Sequence, residues 1–407
     1  MKCGLLGYPL DHSYSPQIHN LLGNYSYQLF SVESHDLDTF FKNADFAGIN
    51  VTSPYKKSVV QYCHELTPAA QTVGSVNTII RRADGKLIGH NTDYFGFTYM
   101  LKDCGVKVAG KKVLILGSGG AARTVYTVLA EQHAMPVIIS RSGENNYTNL
   151  DLHTDASVII NATPVGMYPE TLVSPIQLDI FAKLEAVLDL IYNPAKTKLL
   201  LDAEKRGLII GNGLSMLVAQ AKESAELFTG APIDDVNIQK IQNSLDLQMR
   251  NIILIGMPGC GKTTIGKRLA KYLGREFIDT DDIIAFEQGI SIPEIIEKLG
   301  EDVFRQLESE VISRFSKRSS LVISTGGGCV TNDNNYYPIR QNSRIYWIKR
   351  DLNLLPTEGR PLSMQGTLEN MYRLREPKYI HYSDYVLDNN TSTEQAVQRI
   401  LTMEGHE

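Results

Sequence analysis

The chain has 407 residues, 43% hydrophobic and 21% charged, the make-up of a globular protein of two or three domains with their own cores. Its net charge of −5 divides into about −4 before Met249 and −1 from Met249 onward, where 20 basic face 21 acidic residues, so neither part is basic enough to indicate nucleic-acid binding. The five cysteines are scattered without CxxC spacing, which argues against a disulfide framework or a zinc site and fits a reducing cytosol.

The opening run Met1–Gly7 is too short and too soon interrupted for a signal peptide. No apolar stretch approaches the ~20 residues of a membrane helix, so a cytoplasmic protein without a membrane partner is expected. Short β-like runs alternate with helical patterns throughout, which predicts α/β architecture. In a first unit, residues 1 to about 100, strands are expected at 2–6, 28–32 and 48–51. A second unit, 101–213, is expected to carry strands at 113–116, 136–139, 155–161, 186–190 and 208–212, with a helix at 122–131. Helical patterns at 215–228 and 234–245 can fold back on the first unit, which is therefore drawn as 1–100 plus 214–245. A third α/β unit spans 250–407, opening with the apolar run 252–255. No Gly/Ser/Pro linker marks the join at 245–249, so the two halves are expected to abut with limited reach between them.

Two phosphate-binding loops of different chemistry punctuate this order. Gly117-Ser118-Gly119-Gly120-Ala121-Ala122 follows a strand and opens a helix, the pattern of a dinucleotide turn. Its first glycine permits the tight turn, its second lets backbone approach a pyrophosphate, and Ala122 allows close helix packing. The next strand leads into Ser140-Arg141-Ser142, where an NAD site would favour an acidic residue. A guanidinium and two hydroxyls suit a 2′-phosphate, so NADP is favoured, although a solvated loop arginine reads the same way. Gly256-x4-Gly261-Lys262-Thr263 matches the Walker A pattern, with a strand before and a helix after. Its backbone N–H groups cradle phosphates, Lys262 reaches the β/γ oxygens and Thr263 meets Mg²⁺. A chain with both loops reads as a redox step joined to a phosphoryl transfer.

The front half also carries Ser13-Tyr14-Ser15-Pro16, Asn50-Val51-Thr52-Ser53-Pro54-Tyr55-Lys56, Gly74 to Thr78 and Asn91-Thr92-Asp93. Further on come Asn161-Ala162-Thr163-Pro164, Asp189-Leu190-Ile191-Tyr192 and Asn212-Gly213-Leu214-Ser215-Met216 through Gln220. Singly these are turn chemistry. In this order they make residues 1–245 resemble shikimate dehydrogenase. The resemblance implies reversible NADPH-dependent reduction of 3-dehydroshikimate to shikimate on a two-lobed fold, an α/β substrate domain plus a Rossmann-like NADP domain. It assigns Lys56 and Asp93 to catalysis and Ser13 and Ser15 to the substrate carboxylate. Thr52, Asn77, Tyr192 and Gln220 fall to the ring hydroxyls. Gly117, Ser118, Gly119, Gly120, Ala121, Ser140, Arg141, Thr163, Leu190, Gly213 and Met216 fall to NADP. Two departures stand out: Ser140-Arg141-Ser142 replaces a frequent Asn-Arg-Thr, and Ser215 replaces a frequent glycine.

The rear half presents Phe277-Ile278-Asp279-Thr280-Asp281, Phe304-Arg305-Gln306-Leu307-Glu308, Gly326-Gly327-Gly328, Gly359-Arg360-Pro361-Leu362 and Arg375-x-Pro377-x-Tyr379. With the Walker loop, these make residues 250–407 resemble shikimate kinase, a P-loop α/β domain with a parallel sheet. The resemblance implies phosphorylation of shikimate to shikimate 3-phosphate. It assigns Lys262 and Asp281 to catalysis, with Asp281, Arg305, Gly327 and Arg375 binding substrate. Gly259, Cys260, Gly261, Lys262, Thr263, Thr264 and Arg360 fall to ATP, and Thr263 and Asp279 to Mg²⁺. Arg360 belongs to a lid near 351–366 that is short and lacks an extra basic residue many relatives carry. No adenine-contacting motif is recognisable around 388–391.

The two resemblances converge on one metabolite. A quinate/shikimate dehydrogenase joined to another small-molecule kinase, or a metabolite-sensing regulator, are the readings to weigh against a bifunctional shikimate-pathway enzyme.

Overall fold

The computed structural model describes residues 1–10, 13–43, 45–355 and 365–406. The chain divides into two compact units. The first comprises Met1–Val165, Ser174–Tyr192 and Asp202–Leu245 and holds two sheets. The second comprises Gly166–Val173, Asn193–Leu201 and Asp246–Glu407 and holds one.

The first sheet contains β1 (Lys2–Gly7), β2 (Ser26–Ser31), β3 (Gly48–Val51), β4 (Glu65–Leu66), β5 (Thr78–Arg81) and β6 (Leu87–His90), in the order β2-β1-β3-β5-β6-β4. β1 pairs in parallel with both β2 and β3, whereas β5 runs antiparallel to β3 and β6. Register pairs Asn50 with Thr78 and Thr78 with His90. The ends of β3 and β6 and the start of β5 therefore share one edge, where Thr52, Asn77 and Thr92 follow or precede their strands. Ile49, Ile79, Leu6 and Phe46 fill the core beneath.

The second sheet is wholly parallel: β7 (Lys112–Leu116), β8 (Met135–Ile139), β9 (Val158–Asn161), β10 (Ala186–Asp189) and β11 (Ile209–Asn212), in the order β11-β10-β9-β7-β8. β7 and β9 are buried apolar runs, as a parallel strand covered on both faces requires. The strand order reverses beside β7, where the Gly117 loop leads into the helix Gly120–Glu131. That reversal is the usual place for a nucleotide crevice.

The helix Asp93–Asp103 packs on the helix Leu214–Thr229, and Gly96 makes the approach possible: a Cβ there would lie 2.7 Å from the Met216 carbonyl oxygen. This contact brings Asp93 and Gln220, distant in sequence, to the same cavity wall.

The third sheet, in the second unit, is also parallel: β12 (Asn251–Ile255), β13 (Glu276–Asp279), β14 (Leu321–Ser324), β15 (Ser343–Lys349) and β16 (Tyr385–Asp388), ordered β13-β14-β12-β15-β16. β12 is central and fully buried, and its end feeds the Walker loop and the helix Lys262–Leu273. The helix Val236–Met249 stops one residue before β12, and the division between the units falls inside it. Among the described residues no helix is long and apolar enough to cross a membrane.

One buried histidine gives the first unit an acid sensitivity. His19 is 1% exposed, stacked 4.0 Å from the Tyr27 ring, with Nδ1 2.6 Å from the Tyr25 hydroxyl. Burial lowers its pKa from 6.5 to about 3. Above pH 6.5 it is neutral in both the folded and unfolded chain; below, the unfolded chain takes up a proton that the fold refuses. Stability is therefore expected to fall through this group by about 1.4 kcal/mol per pH unit down to the folded pKa. Urea unfolding of the first unit across this range should show a slope shallower by that amount in His19→Gln; equal slopes would contradict the assignment.

Candidate active sites

The first unit holds a cavity of about 520 Å³ at the shared strand edge. Ser13 and Ser15 enter it from the turn after β1 and the first residue of the helix Ser15–Leu22. Ser13 Oγ accepts from the Ser15 backbone N–H at 3.2 Å, which fixes the turn. Thr52 and Lys56 come from the loop after β3, and Asn77 stands just before β5. Asp93 opens its helix, Tyr192 follows β10, and Gln220 projects from the helix Leu214–Thr229. All eight residues assigned to substrate or catalysis in this half line the one cavity.

Lys56 Nζ donates to Asp93 Oδ2 at 2.6 Å. The side chains are 27% and 11% exposed, so the pair is shielded yet open to the cavity. The carboxylate fixes where the ammonium points, which is what a proton donor beside a reacting carbonyl needs. Tyr14 stands edge-on to Tyr192, ring centroids 6.2 Å apart. Asn77 Oδ1 accepts from the Thr92 backbone N–H at 2.7 Å, and its amide donates to Thr92 Oγ1 at 3.0 Å and Gln220 Oε1 at 3.3 Å.

Ala121, Leu190, Gly213 and Met216 line the same cavity. Gly117, Ser118, Gly119, Gly120, Ser140, Arg141 and Thr163 are not among its lining residues. Gly117 adopts φ 108° and packs against Ala162 and Thr163, while a Cβ on Gly119 or Gly120 would meet open space. The helix that follows has no side-chain cap, so its N-terminal N–H groups are left to face an anion. Arg141 is exposed after β8, close enough to Tyr147 to act on its hydroxyl.

In the second unit, Gly256, Gly259 and Gly261 have φ of 143°, 83° and 104°, a backbone that side chains resist. Lys262 Nζ curls back onto the carbonyl oxygens of Gly256 at 2.9 Å and Met257 at 3.0 Å. Thr263 Oγ1 donates to Asp279 Oδ2 at 2.7 Å, and Asp279 Oδ1 accepts the Asp281 backbone N–H at 3.1 Å. Asp279 thus caps the helix Thr280–Gln288 and places Asp281 on its first turn. Two oxygens side by side at the loop fit a hard cation that keeps water and phosphate oxygens as its other ligands. Among the described residues no group of three or more His, Cys, Asp or Glu gathers to hold a metal.

Asp281 sits in a cluster of buried charge. Burial, then the Glu308 and Asp279 carboxylates, push its pKa up to about 7, against the pull of Lys262 and Arg305. Arg305 bonds Glu308 at 2.8 Å, and Glu308 is fully buried. This i,i+3 pair therefore belongs to the interior. Arg375 Nη1 donates to the Gly327 carbonyl at 3.1 Å, and Tyr379 donates to the same oxygen at 2.6 Å. The triple glycine explains itself here. A Cβ on Gly326 would press on Glu308 and lie 2.8 Å from Asp281 Oδ1; on Gly327 it would lie 2.6 Å from Pro258; on Gly328 it would occupy the Arg305 guanidinium.

Gly259, Cys260 and Thr264 lie on the loop and the start of its helix. The segment after β16, without a motif in sequence, meets this loop: Asn389 donates to the Cys260 carbonyl at 2.7 Å. Sequence alone assigns no role to Asn389, Glu308 or Tyr379. The last two sit inside recognisable motifs, so the motif is the available signal; for Asn389 there is none. Arg360 and most of the lid near 351–366 lie outside the described residues.

Both halves of the chain are similar to known proteins. A shikimate dehydrogenase (NADP(+)) of Methanococcus maripaludis is 39% identical over 258 residues, 57% of this chain and 92% of the relative. The chain belongs to the shikimate dehydrogenase family. One from Clostridium perfringens is 34% identical over 264 residues, 60% of this chain and 97% of its own. The family model for the shikimate dehydrogenase substrate binding domain matches residues 5–79. Among solved structures, a chorismate mutase/shikimate 5-dehydrogenase fusion from Clostridium acetobutylicum aligns at 36% identity and a TM-score of 0.57, covering 60% of this chain and 97% of its own. Shikimate 5-dehydrogenase from Thermus thermophilus, solved with NADP(H) and shikimate, aligns at 30% and 0.55, covering 60% and 98%. Beyond this dehydrogenase half, the shikimate kinase model matches residues 258–404.

The packing at the triple glycine yields a prediction. Gly328→Ala should pull the Arg305 guanidinium off buried Glu308 and, through that lost charged hydrogen bond, destabilise the second unit by about 1–3 kcal/mol, with the first unit unaffected. Chemical denaturation reads both units, and an unchanged midpoint for the second would contradict it.

Proposed function

We propose that this chain is a bifunctional enzyme of chorismate and aromatic amino-acid biosynthesis. The first half reduces 3-dehydroshikimate to shikimate with NADPH, and the second phosphorylates shikimate to shikimate 3-phosphate with ATP and Mg²⁺. The observation that carries this reading is that Lys56 pairs with Asp93 in the first unit, while in the second Asp281 lies with Glu308, Asp279, Lys262 and Arg305.

When bound, NADPH supplies the hydride, ATP the phosphoryl group and Mg²⁺ charge neutralisation. The residues do the rest. Ser13 and Ser15 hold the substrate carboxylate, and Thr52, Asn77, Tyr192 and Gln220 hold the ring hydroxyls. Lys56 gives its proton to the ketone oxygen as negative charge develops there, and Asp93 keeps that ammonium aimed. Gly117 to Ala121, Thr163, Leu190, Gly213 and Met216 hold NADP, with Ser140 and Arg141 toward its 2′-phosphate. In the kinase half, Arg305 and Arg375 hold the carboxylate of shikimate, a task suited to guanidinium geometry. Gly327 brings backbone close to the ring. Asp281 accepts the proton of the 3-hydroxyl, and its raised pKa matches a base working near neutrality. The loop from Gly259 to Thr264 and Arg360 hold ATP, with Thr263 and Asp279 toward Mg²⁺.

In domain terms, 1–100 with 214–245 binds substrate, 101–213 binds NADP and 250–407 is the kinase, with a lid near 351–366. The site of action is the cytoplasm. The relatives' shikimate dehydrogenase names favour this reading over a quinate/shikimate dehydrogenase joined to another kinase. The assembled Lys56, Asp93, Lys262 and Asp281 disfavour a regulator with dead sites.

Two substitutions test the reading. Lys56→Ala should cut ketone reduction by at least about a hundredfold while sparing phosphorylation of shikimate, and Lys262→Ala should do the reverse. Loss of both activities from either change would argue against independent sites. Arg141→Ala should raise the KM for NADPH about tenfold or more, with NADH little affected; an equal effect on both cofactors would remove Arg141 from the 2′-phosphate site.

A further inference from the structure

Behind the reduction cavity lies a buried hydrogen-bond network whose hub is a residue outside that cavity's lining. Ser224 is fully buried, one turn beyond Gln220 on the helix Leu214–Thr229. Its Oγ donates to the Gln220 carbonyl at 2.8 Å. It lies 2.7 Å from Asn50 Nδ2, 2.9 Å from Thr78 Oγ1 and 3.1 Å from Thr92 Oγ1.

A hydroxyl has one proton to give and two lone pairs. With its proton on the Gln220 carbonyl, Ser224 accepts from two partners. Asn50 is one, because the Tyr27 hydroxyl, 2.7 Å from Asn50 Oδ1, turns the Asn50 amide so that its nitrogen faces Ser224 and Thr78. Thr78, which accepts the other Asn50 N–H, gives its own proton to Ser224. Ser224 is then saturated, and the Thr92 proton is left for Thr78 Oγ1 at 3.2 Å, Asn77 Oδ1 at 3.3 Å or Gln220 Oε1 at 3.4 Å. The Gln220 amide is held with its oxygen toward Thr92 and Asn77 and one N–H on the Leu217 carbonyl at 3.2 Å. Its second N–H remains for the cavity.

We propose that Ser224 is a positioning residue for the reduction site: it sets the direction of this network, and so the donor pattern that Asn77 and Gln220 present to the substrate's hydroxyls. This rests on the dehydrogenase reading above. Ser224→Ala strands one Asn50 N–H and releases the Thr78 proton toward Thr92 Oγ1 at 3.2 Å or Asn77 Oδ1 at 3.3 Å, which resets the bonds that orient the two amides. Because these hydroxyls are bound and not transformed in the reduction, the loss falls on substrate binding.

The test is steady-state kinetics on the full chain for Ser224→Ala, Thr78→Val and Thr78→Ser. The first two should raise the KM for 3-dehydroshikimate about tenfold, the size expected for one or two mis-set buried hydrogen bonds. Their kcat and KM for NADPH should stay within about twofold of wild type. Thr78→Ser keeps the hydroxyl and should behave as wild type. Unchanged KM in Ser224→Ala and Thr78→Val, or NADPH KM and kcat worsening in step with substrate KM, would overturn the inference. If one variant fails to fold, the other decides by the same split. Wild-type protein inactive on 3-dehydroshikimate would overturn the functional reading and this inference with it, whereas active wild type with unmoved variants overturns this inference alone.

Discussion

Both halves depend on one constraint: a nucleotide's phosphates must be met by backbone N–H groups, which a strand turning sharply into a helix offers. β7 and β12 are the buried strands that make this turn, each flanked on both sides by parallel neighbours. Gly117 on one side, and Gly256, Gly259 and Gly261 on the other, take positive φ so that the chain can reverse into the helix. Thr163 and Tyr192 leave the same end of the sheet that holds β7, and Asp279 and Asp281 the same end of the sheet that holds β12, whereas Ser13, Thr52, Lys56 and Asn77 come from the first sheet.

The two sites then handle charge in opposite ways. Lys56 and Asp93 form a compact pair that keeps contact with the cavity, so the cost of removing them from water is partial. The kinase site gathers three carboxylates, Asp279, Asp281 and Glu308, against Lys262 and Arg305. Leaving the fully buried Glu308 without its Arg305 partner would cost several kcal/mol. The strip Gly326–Gly328 lets the backbone run between these groups without a side chain in the way. Low side-chain volume in that strip and high charge density beside it are one feature.

Much of this was legible in the sequence because the two loops, the apolar strands and the order of polar motifs are local signals. The strands expected in the first half fall within three residues of the observed ends, the start of β9 differing most because 155–157 are turn and approach rather than ladder. The hairpin of β5 and β6 gave little signal, since its strands have four residues each and a mixed sheet blurs the apolar pattern. What sequence could not show is depth. Glu308 has no assigned role until the fold buries it against Arg305, and Ser224 is one more helix residue until Asn50, Thr78 and Thr92 arrive from three other segments. Asn389 has no motif at all; its place against Cys260 comes from β16 pairing with β15.

The central claim is that one chain carries 3-dehydroshikimate through two consecutive steps. The most direct measurement is a single incubation of the protein with 3-dehydroshikimate, NADPH, ATP and Mg²⁺, with products read by mass spectrometry. Shikimate 3-phosphate, formed only when both NADPH and ATP are present, is the predicted result. Recovery of unchanged 3-dehydroshikimate from folded protein would contradict it.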